Sequence, residues 1–320
     1  MSTNFGGLPS GAPAAAPPPG VVPNLDHPES NDSQFVVLGI FVSLSLFAVS
    51  IRIFVRFRLT KSWGWDDYTC ILAAIASLSY TIIYGQVIAT YPVKHKWDIA
   101  LSAYPNEIEA QSISLNGVSY QVTIFLTKLS ILLLYLRLFN VNRRFALVVT
   151  ISIFVISLFY IPMLGVGIGF FATCDKLMQF AKLHFCRDYT GPVLLLNASF
   201  NVITGFWLLL LPFPVVAKLQ LPLRKKLGLT AVFAAGAGAC ATSLARLIKI
   251  AVDYGSPDYV WNAGITAQFS IVEINVGIIV ACVSTFPVFF DQVRSWLGRT
   301  TGSLKPTQAQ DPEPDVGPAV

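Results

Sequence analysis

The chain has 320 residues, of which 54% are hydrophobic and only 12% are charged, with a formal net charge of +5. Soluble domains carry about 25% charged residues, so a water-soluble fold of this size could not hide so much apolar surface. The basic residues flank apolar stretches and do not line one face of a domain, which argues against a nucleic-acid partner. The composition therefore predicts an integral protein of a lipid bilayer.

The first predicted element is a leader, residues 1–33, which is rich in proline and alanine and contains no lysine or arginine. Proline and glycine at this density do not favour a helix. We therefore expect an extracellular, disordered leader.

Seven apolar stretches follow, each long enough to cross a hydrocarbon core of ~30 Å, which needs about 20 residues. They are Phe35–Val55, Tyr68–Tyr91, Asn116–Leu138, Phe145–Phe171, Val193–Val216, Leu227–Val252 and Ala263–Phe289. The sequence thus predicts an all-α fold, a seven-transmembrane-helix bundle at residues 34–290. Residues 291–320 are polar and contain proline, which predicts a cytosolic tail that is mostly disordered.

The positions of lysine and arginine predict the orientation. If the N-terminus is outside, fourteen of these residues fall in inner segments and five in outer segments. Basic residues accumulate on the cytosolic side of membrane proteins. We therefore expect the N-terminus outside, the tail in the cytosol, and a multi-pass protein of the plasma membrane.

Five charged residues are expected near the cytosolic face of the first three spans. They are Arg56, Arg58, Asp66, Asp67 and Arg137. Acidic residues at the start of a helix cap free N–H groups and offset the helix dipole. The alternative is a cytosolic latch, in which one of these aspartates pairs with one of the three arginines.

Polar side chains also occur inside the later spans, where an ionisable group costs a few kcal/mol unless it has a partner or a cavity. The group comprises Lys128, Asn197, Asn201, Arg246 and Glu273. It predicts a small-molecule pocket in the outer half of the bundle, with Glu273 as counter-charge to Lys128 or Arg246. The alternative is a structural ion pair with interhelical hydrogen bonds.

Cys174 and Cys186 lie in the predicted outer loop between spans four and five. An oxidising exterior favours a disulfide between them over two free thiols. The three histidines are far apart, and no hydrolase, metalloprotease or phosphate-loop motif occurs, so we expect no metal site and no enzyme.

A set of short motifs spans residues 35–290 in a fixed order. They are Arg52-x-x-x-Arg56-x-Arg58, Gly64-Trp65-Asp66-Asp67-Tyr68, Lys128-Leu129-Ser130, Tyr135-Leu136-Arg137-Leu138-Phe139, Leu211-Pro212-Phe213-Pro214, Ala245-Arg246-Leu247, and Glu273 ahead of Ala281-Cys282. Their ordered combination resembles the fungal rhodopsin-domain integral membrane proteins, which include receptor-like proteins linked to surface sensing in plant-pathogenic fungi. The resemblance implies a seven-helix, receptor-like protein.

Retinal binding in rhodopsins uses a lysine in the seventh span, where the amine forms a Schiff base. Residues 263–289 contain no lysine. We therefore expect no covalent retinal and no other cofactor. The leading hypothesis is a receptor for an extracellular small ligand or surface cue with a cytosolic signalling partner. A small-molecule transporter or channel, and an accessory membrane protein of a biosynthetic pathway, are the alternatives.

Overall fold

The computed structural model of the protein describes residues 13, 16–25, 33–90, 93–100, 106–139, 143–176, 180–216, 223–256 and 258–302. The regular elements in these ranges are helices, apart from one isolated bridge between Pro13 and Ala100. The α-helices are α1 Ser33–Phe54, α2 Trp65–Thr90, α3 Asn106–Phe139, α4 Arg143–Lys176, α5 Phe180–Leu210, α6 Phe213–Val216, α7 Leu223–Val252, α8 Tyr259–Cys282 and α9 Phe286–Gly302. A π-helical segment, Val55–Thr60, continues α1, and 3₁₀ turns cover Lys96–Asp98 and Val283–Thr285.

Seven helical segments in the described residues are long and apolar enough to cross a membrane. This confirms the predicted seven-transmembrane-helix bundle and its location in a lipid bilayer. The side of the membrane on which each terminus lies stays a prediction. Below, the end of the bundle near Asp66 is called the inner end and the end near His95 the outer end, following the orientation that the basic residues predict.

Two helices extend beyond their apolar stretches. α4 runs to Lys176 and α5 starts at Phe180, so the outer loop expected between spans four and five is mostly helical. Polarity limits how much of a helix lies in hydrocarbon, but it does not break the backbone hydrogen bonds that continue the helix into water.

The seventh span is interrupted near its inner end. α8 ends at Cys282, one 3₁₀ turn follows, and α9 then runs to Gly302, into the segment that the sequence assigns to a tail. Pro287 lies in the first turn of α9, where its missing N–H group is tolerated. The same residue cannot donate to Val283, which explains why the two helices do not merge.

The packing centres on α3 and α8. α3 contacts α2, α4, α5 and α8, whereas α8 contacts α1, α2, α3 and α7. Ile271, Ile274 and Ile278 form a fully buried row on α8. Exposed apolar side chains such as Phe154 and Leu158 on α4 face away from the bundle, as lipid-facing positions require.

Close approach of α8 to the first outer segment depends on a glycine. A Cβ atom at Gly264 would lie 2.5 Å from Val93 Cγ1 and 2.7 Å from Gln34 Nε2. A larger residue at this position would have to displace the side chains of Val93 and Gln34. The outer half of α8 is therefore held in register by steric fit.

Candidate functional site

A buried polar group lies between α3, α5, α7 and α8, with Glu273 at its centre. We call it the outer network, and its members are Tyr120, Lys128, Tyr160, Asn201, Thr204, Ser243, Arg246 and Glu273. The Glu273 side chain is 4% exposed and accepts hydrogen bonds from three donors. Tyr120 donates to Oε2 at 2.9 Å, while Asn201 Nδ2 and the Ser243 hydroxyl donate to Oε1. Arg246 Nε lies 3.5 Å from Oε2 and forms an ion pair. Glu273 therefore links all four helices through one carboxylate.

Lys128 on α3 occupies the inner side of this group. Its Nζ donates to Asn201 O at 3.0 Å, to the Tyr160 hydroxyl at 3.2 Å and to Thr204 Oγ1. An ammonium group has three donors, and all three are used here. Tyr160 in turn donates to Asn201 Oδ1 at 3.2 Å. The three acceptors around Lys128 are one backbone carbonyl and two hydroxyl groups, all of them neutral.

Arg246 on α7 occupies the other side. Its Cζ lies 4.3 Å above the centre of the Tyr120 ring, in a cation–π contact. Its Nε and Nη2 are buried and have no hydrogen-bond partner among the described residues. Asn197 Oδ1, one turn from Asn201 on α5, is buried and unpartnered in the same way.

The five residues that the sequence assigned to a polar cluster are all buried. Lys128, Asn201 and Glu273 form one continuous hydrogen-bonded network, to which Arg246 adds an ion pair. Of the two counter-charges considered for Glu273, the structure pairs it with Arg246. Asn197 lies on the same helix as Asn201 but makes no hydrogen bond to the network through its Oδ1.

Sequence reasoning missed four hydroxyl groups of this network, although helical spacing points to some of them. They belong to Tyr120, Tyr160, Thr204 and Ser243. Tyr120 is eight residues before Lys128, which places both on one face of α3. Ser243 is three residues before Arg246 on α7 and likewise shares its face. Tyr160 on α4 has no such neighbour in sequence, and only the packing of α3 against α4 and α5 reveals it.

A second buried group lies at the inner end, where two aspartates of α2 meet three arginines. Arg52 Nη2 is 2.6 Å from Asp66 Oδ2, and Arg52 Nε is 2.8 Å from Asp67 Oδ1. Arg137 Nη1 lies 2.9 Å from one oxygen of each aspartate. Arg56 Nε is 3.2 Å from Asp67 Oδ1. We call these five residues the inner ionic cluster.

The same aspartates also act as helix caps. Asp67 Oδ2 accepts a hydrogen bond from Gly64 N at 3.0 Å, at the start of α2. Arg137 Nη2 donates to Ser62 O at 2.8 Å and so holds the segment before the helix. A Cβ atom at Gly64 would lie 2.8 Å from Arg137 Nη1, which explains the glycine. Capping and ion pairing, the two alternatives from the sequence, therefore occur together.

The arginines of the cluster differ in part from those expected. Arg58 is exposed, and its Cζ lies 5.8 Å from the centre of the Phe57 ring. Arg52 takes the central place, because it is 1% exposed and also donates to Ala281 O on α8. The cluster thus joins α1, α2, α3 and α8.

The outer segment between α2 and α3 is attached to α8 through His95. The His95 ring lies between the rings of Trp97 and Trp261, with centroid distances of 4.6 and 4.0 Å. Its Nδ1 is 2.6 Å from Asp258 Oδ2, and Asp258 Oδ1 accepts from Lys96 N at 3.0 Å. This arrangement covers the outer end of the bundle next to α8.

We predict that His95→Ala lowers the free energy of unfolding of the purified protein by about 2 kcal/mol, because a hydrogen bond to a carboxylate and two ring contacts are lost. His95→Phe keeps the ring contacts and should cost about half as much. Reversible unfolding in mixed micelles measures both. Equal losses for the two variants would show that stacking contributes nothing.

The predicted Cys174–Cys186 bond falls outside the described side chains, although both residues lie in the helices α4 and α5. Two other cysteines meet inside the bundle, where Cys70 Sγ and Cys282 Sγ are 3.6 Å apart. This contact between α2 and α8 is visible only in the structure.

The structure also tests whether the site suits retinal. α8 contains no lysine, and the position level with the buried network carries Glu273. A carboxylate cannot form a Schiff base with an aldehyde. The seventh span therefore does not fit a retinal attached in the manner of rhodopsins.

Comparison with known proteins identifies the bundle. The sequence model of the fungal rhodopsin domain matches residues 51–292, which contain both buried clusters. A SAT4 family membrane protein of Emericella nidulans is 31% identical over 267 residues, or 78% of this chain and 62% of the relative. The chain thus spans less than two thirds of that relative's length. No solved structure matches.

Two further relatives differ in what their names describe. "Receptor GIN3" of Arthrobotrys oligospora is 24% identical and aligns with 72% of this chain and 56% of its own length. "Fugralins biosynthesis cluster protein 2" of Gibberella zeae is 23% identical and aligns with 93% of this chain and 77% of its own length. Relatives of this chain therefore carry both receptor and biosynthetic-cluster names.

Proposed function

Because the chain belongs to the fungal rhodopsin-domain family, we propose that it is a receptor-like, non-enzymatic protein of the plasma membrane that binds an extracellular small molecule. The ligand would sit in the outer half of the bundle between α3, α5, α7 and α8. The relative named a receptor supports this role.

The observation that carries the proposal is the incomplete satisfaction of the buried network around Glu273. Buried polar groups in proteins nearly always have hydrogen-bond partners, and each exception calls for an explanation. Here Arg246 Nε and Nη2 and Asn197 Oδ1 have none among the described residues. A network that only held helices together would have little reason to keep open donors and acceptors.

These open groups lie on one side of the network. Arg246 is three residues beyond Ser243 on α7, and Asn197 is four residues before Asn201 on α5. The chain runs towards the outer end in α7 and away from it in α5, so both residues lie one turn further out. Arg246 is six residues from the end of α7, or about 9 Å below it.

A signal would reach the cytosol through helices that carry both clusters. α8 holds Glu273 in the outer network and Ala281 O in contact with Arg52 of the inner ionic cluster. α3 carries Lys128 and Arg137 in the same two places. A ligand that shifted α3 against α8 would therefore strain the ion pairs of the inner ionic cluster. Each of these ion pairs is either formed or broken, which gives the cluster two discrete states.

A complementation experiment tests the function. A fungal strain that lacks the gene is restored with the wild type, with Glu273→Gln or with Asp291→Asn, an exposed carboxylate on α9 that serves as control. We expect the deletion to abolish a response to at least one small molecule or surface cue. Glu273→Gln should not restore that response at equal abundance in the plasma membrane, whereas Asp291→Asn should. A deletion that changes no response would overturn the proposal.

A role in a biosynthetic pathway is the second candidate, favoured by the relative named after a biosynthesis cluster. In that role the outer network would move or hold a pathway intermediate. Substrate flux in reconstituted vesicles that is lost in Glu273→Gln would support transport over signalling. The neighbourhood of the gene in the genome is the cheapest discriminator.

A further inference from the structure

The charges buried in the outer network do not balance. Lys128 and Arg246 are both cationic, and Glu273 is the one carboxylate in contact with either among the described residues. All three donors of Lys128 are used on neutral acceptors, which is the pattern of a charged ammonium. With Lys128 in its ammonium form, the low-dielectric interior holds one positive charge more than Glu273 balances, and such a charge calls for a counter-ion.

The geometry of Arg246 shows where that counter-ion would bind. Nε and Nη2 form one edge of the guanidinium, with two parallel N–H bonds, and both atoms are buried and without a hydrogen bond. A fork of this shape matches the two oxygens of a carboxylate. A spherical ion or a hydroxyl oxygen would offer both donors a single acceptor atom, whereas a carboxylate gives each donor its own oxygen.

Glu273 does not occupy this fork. Its Oε2 lies 3.5 Å from Arg246 Nε without a hydrogen bond, and it already accepts from Tyr120. Its other oxygen accepts from Asn201 and Ser243. These three donors hold the carboxylate in place, and Tyr120 also supports the guanidinium from below through its ring.

We propose that the free edge of Arg246 binds the carboxylate of a small organic acid, with Asn197 Oδ1 available to a donor on the same molecule. This inference rests on the proposed function, because it names the chemical class of the ligand for the same site. The ligand carboxylate would bring the buried charge to zero.

The test uses the purified full chain in detergent and sodium hexanoate as probe, with hexan-1-ol, hexanamide and sodium chloride as matched probes. We expect hexanoate to raise the melting temperature in a saturable way, and the three matched probes to leave it unchanged. Acetate and octanoate extend the series in chain length. No shift with any carboxylate, or an equal shift with chloride, would overturn the inference.

Variants then locate the effect. Arg246→Lys replaces the fork by a point charge and should weaken hexanoate binding about tenfold or more. Lys249→Gln is the matched control, since Lys249 lies one turn away on α7 and pairs with Asp253 at 2.7 Å. It should bind hexanoate as the wild type does. Unchanged binding in Arg246→Lys, or lost binding in Lys249→Gln, contradicts the assignment.

Glu273→Gln provides a test that does not require changing Arg246. Removing the neighbouring negative charge leaves the guanidinium without its ion pair, so hexanoate should bind more tightly than to the wild type. Weaker or equal binding would overturn the inference. Carboxylate binding without any response in the complementation experiment would reject the receptor role alone, and a response without carboxylate binding would reject the ligand class alone.

Discussion

Asp67→Ala is expected to lower the free energy of unfolding by about 3–5 kcal/mol, which is the typical cost of removing one partner from a buried ion pair. Asp67 is 1% exposed and contacts Arg52, Arg56 and Arg137. Without it, three guanidinium groups share the single carboxylate of Asp66. The capping bond to Gly64 N is lost as well. Unfolding of the purified protein in mixed micelles measures the change.

Arg58→Gln is the control for this prediction. It removes a positive charge from the same motif, but Arg58 is exposed and contacts no carboxylate among the described residues. The Arg58→Gln variant should have the same free energy of unfolding as the wild type. If Asp67→Ala were as stable as Arg58→Gln, the inner ionic cluster would contribute nothing to folding, and its place in a signalling latch would lose its basis.

Glu273→Ala should destabilise the protein by a similar amount, about 3–5 kcal/mol, because two buried cations are left without a negative charge. Three donors, from Tyr120, Asn201 and Ser243, lose their acceptor at the same time. The same unfolding assay applies. Asp291→Ala, which removes an exposed carboxylate from α9, should leave the stability unchanged.

A double variant separates charge balance from packing. Glu273→Gln combined with Arg246→Met removes one charge of each sign, so the pair should cost less than the sum of the single variants by roughly 1–3 kcal/mol. Costs that simply add would mean that Arg246 and Glu273 do not interact. The 3.5 Å ion pair would then be without energetic weight.

Helical spacing accounts for the contacts of the outer network within one helix, but it does not account for the contacts between helices. Asn197 and Asn201 are four residues apart, so their common face on α5 follows from the sequence. Whether Glu273 pairs with Lys128 or Arg246 depends on the rotation and depth of three different helices. These are set by packing, which apolar periodicity does not specify when lipid-facing and buried positions are both hydrophobic.

The inner ionic cluster shows the same division. The acidic pair at the start of α2 and the three nearby arginines of α1 and the π-helical segment are visible in the sequence. The sequence does not show that Arg52 enters the bundle while Arg58 stays at its surface. A π-helical segment begins at Val55, and its wider turn changes the direction of the side chains that follow.

The sequence alone determined that this chain is a seven-helix membrane protein of the fungal rhodopsin-domain family. Crossing a bilayer is a local property, because each span must satisfy its own backbone and present about 20 apolar residues. Only the tertiary structure decided the partners of the buried charges. It paired Glu273 with Arg246, left Lys128 among neutral acceptors, and left Arg246 Nε and Nη2 buried without a hydrogen bond among the described residues. Tyr120 and Glu273 are 153 positions apart, and Arg52 and Ala281 are 229 positions apart, so no local pattern encodes such contacts.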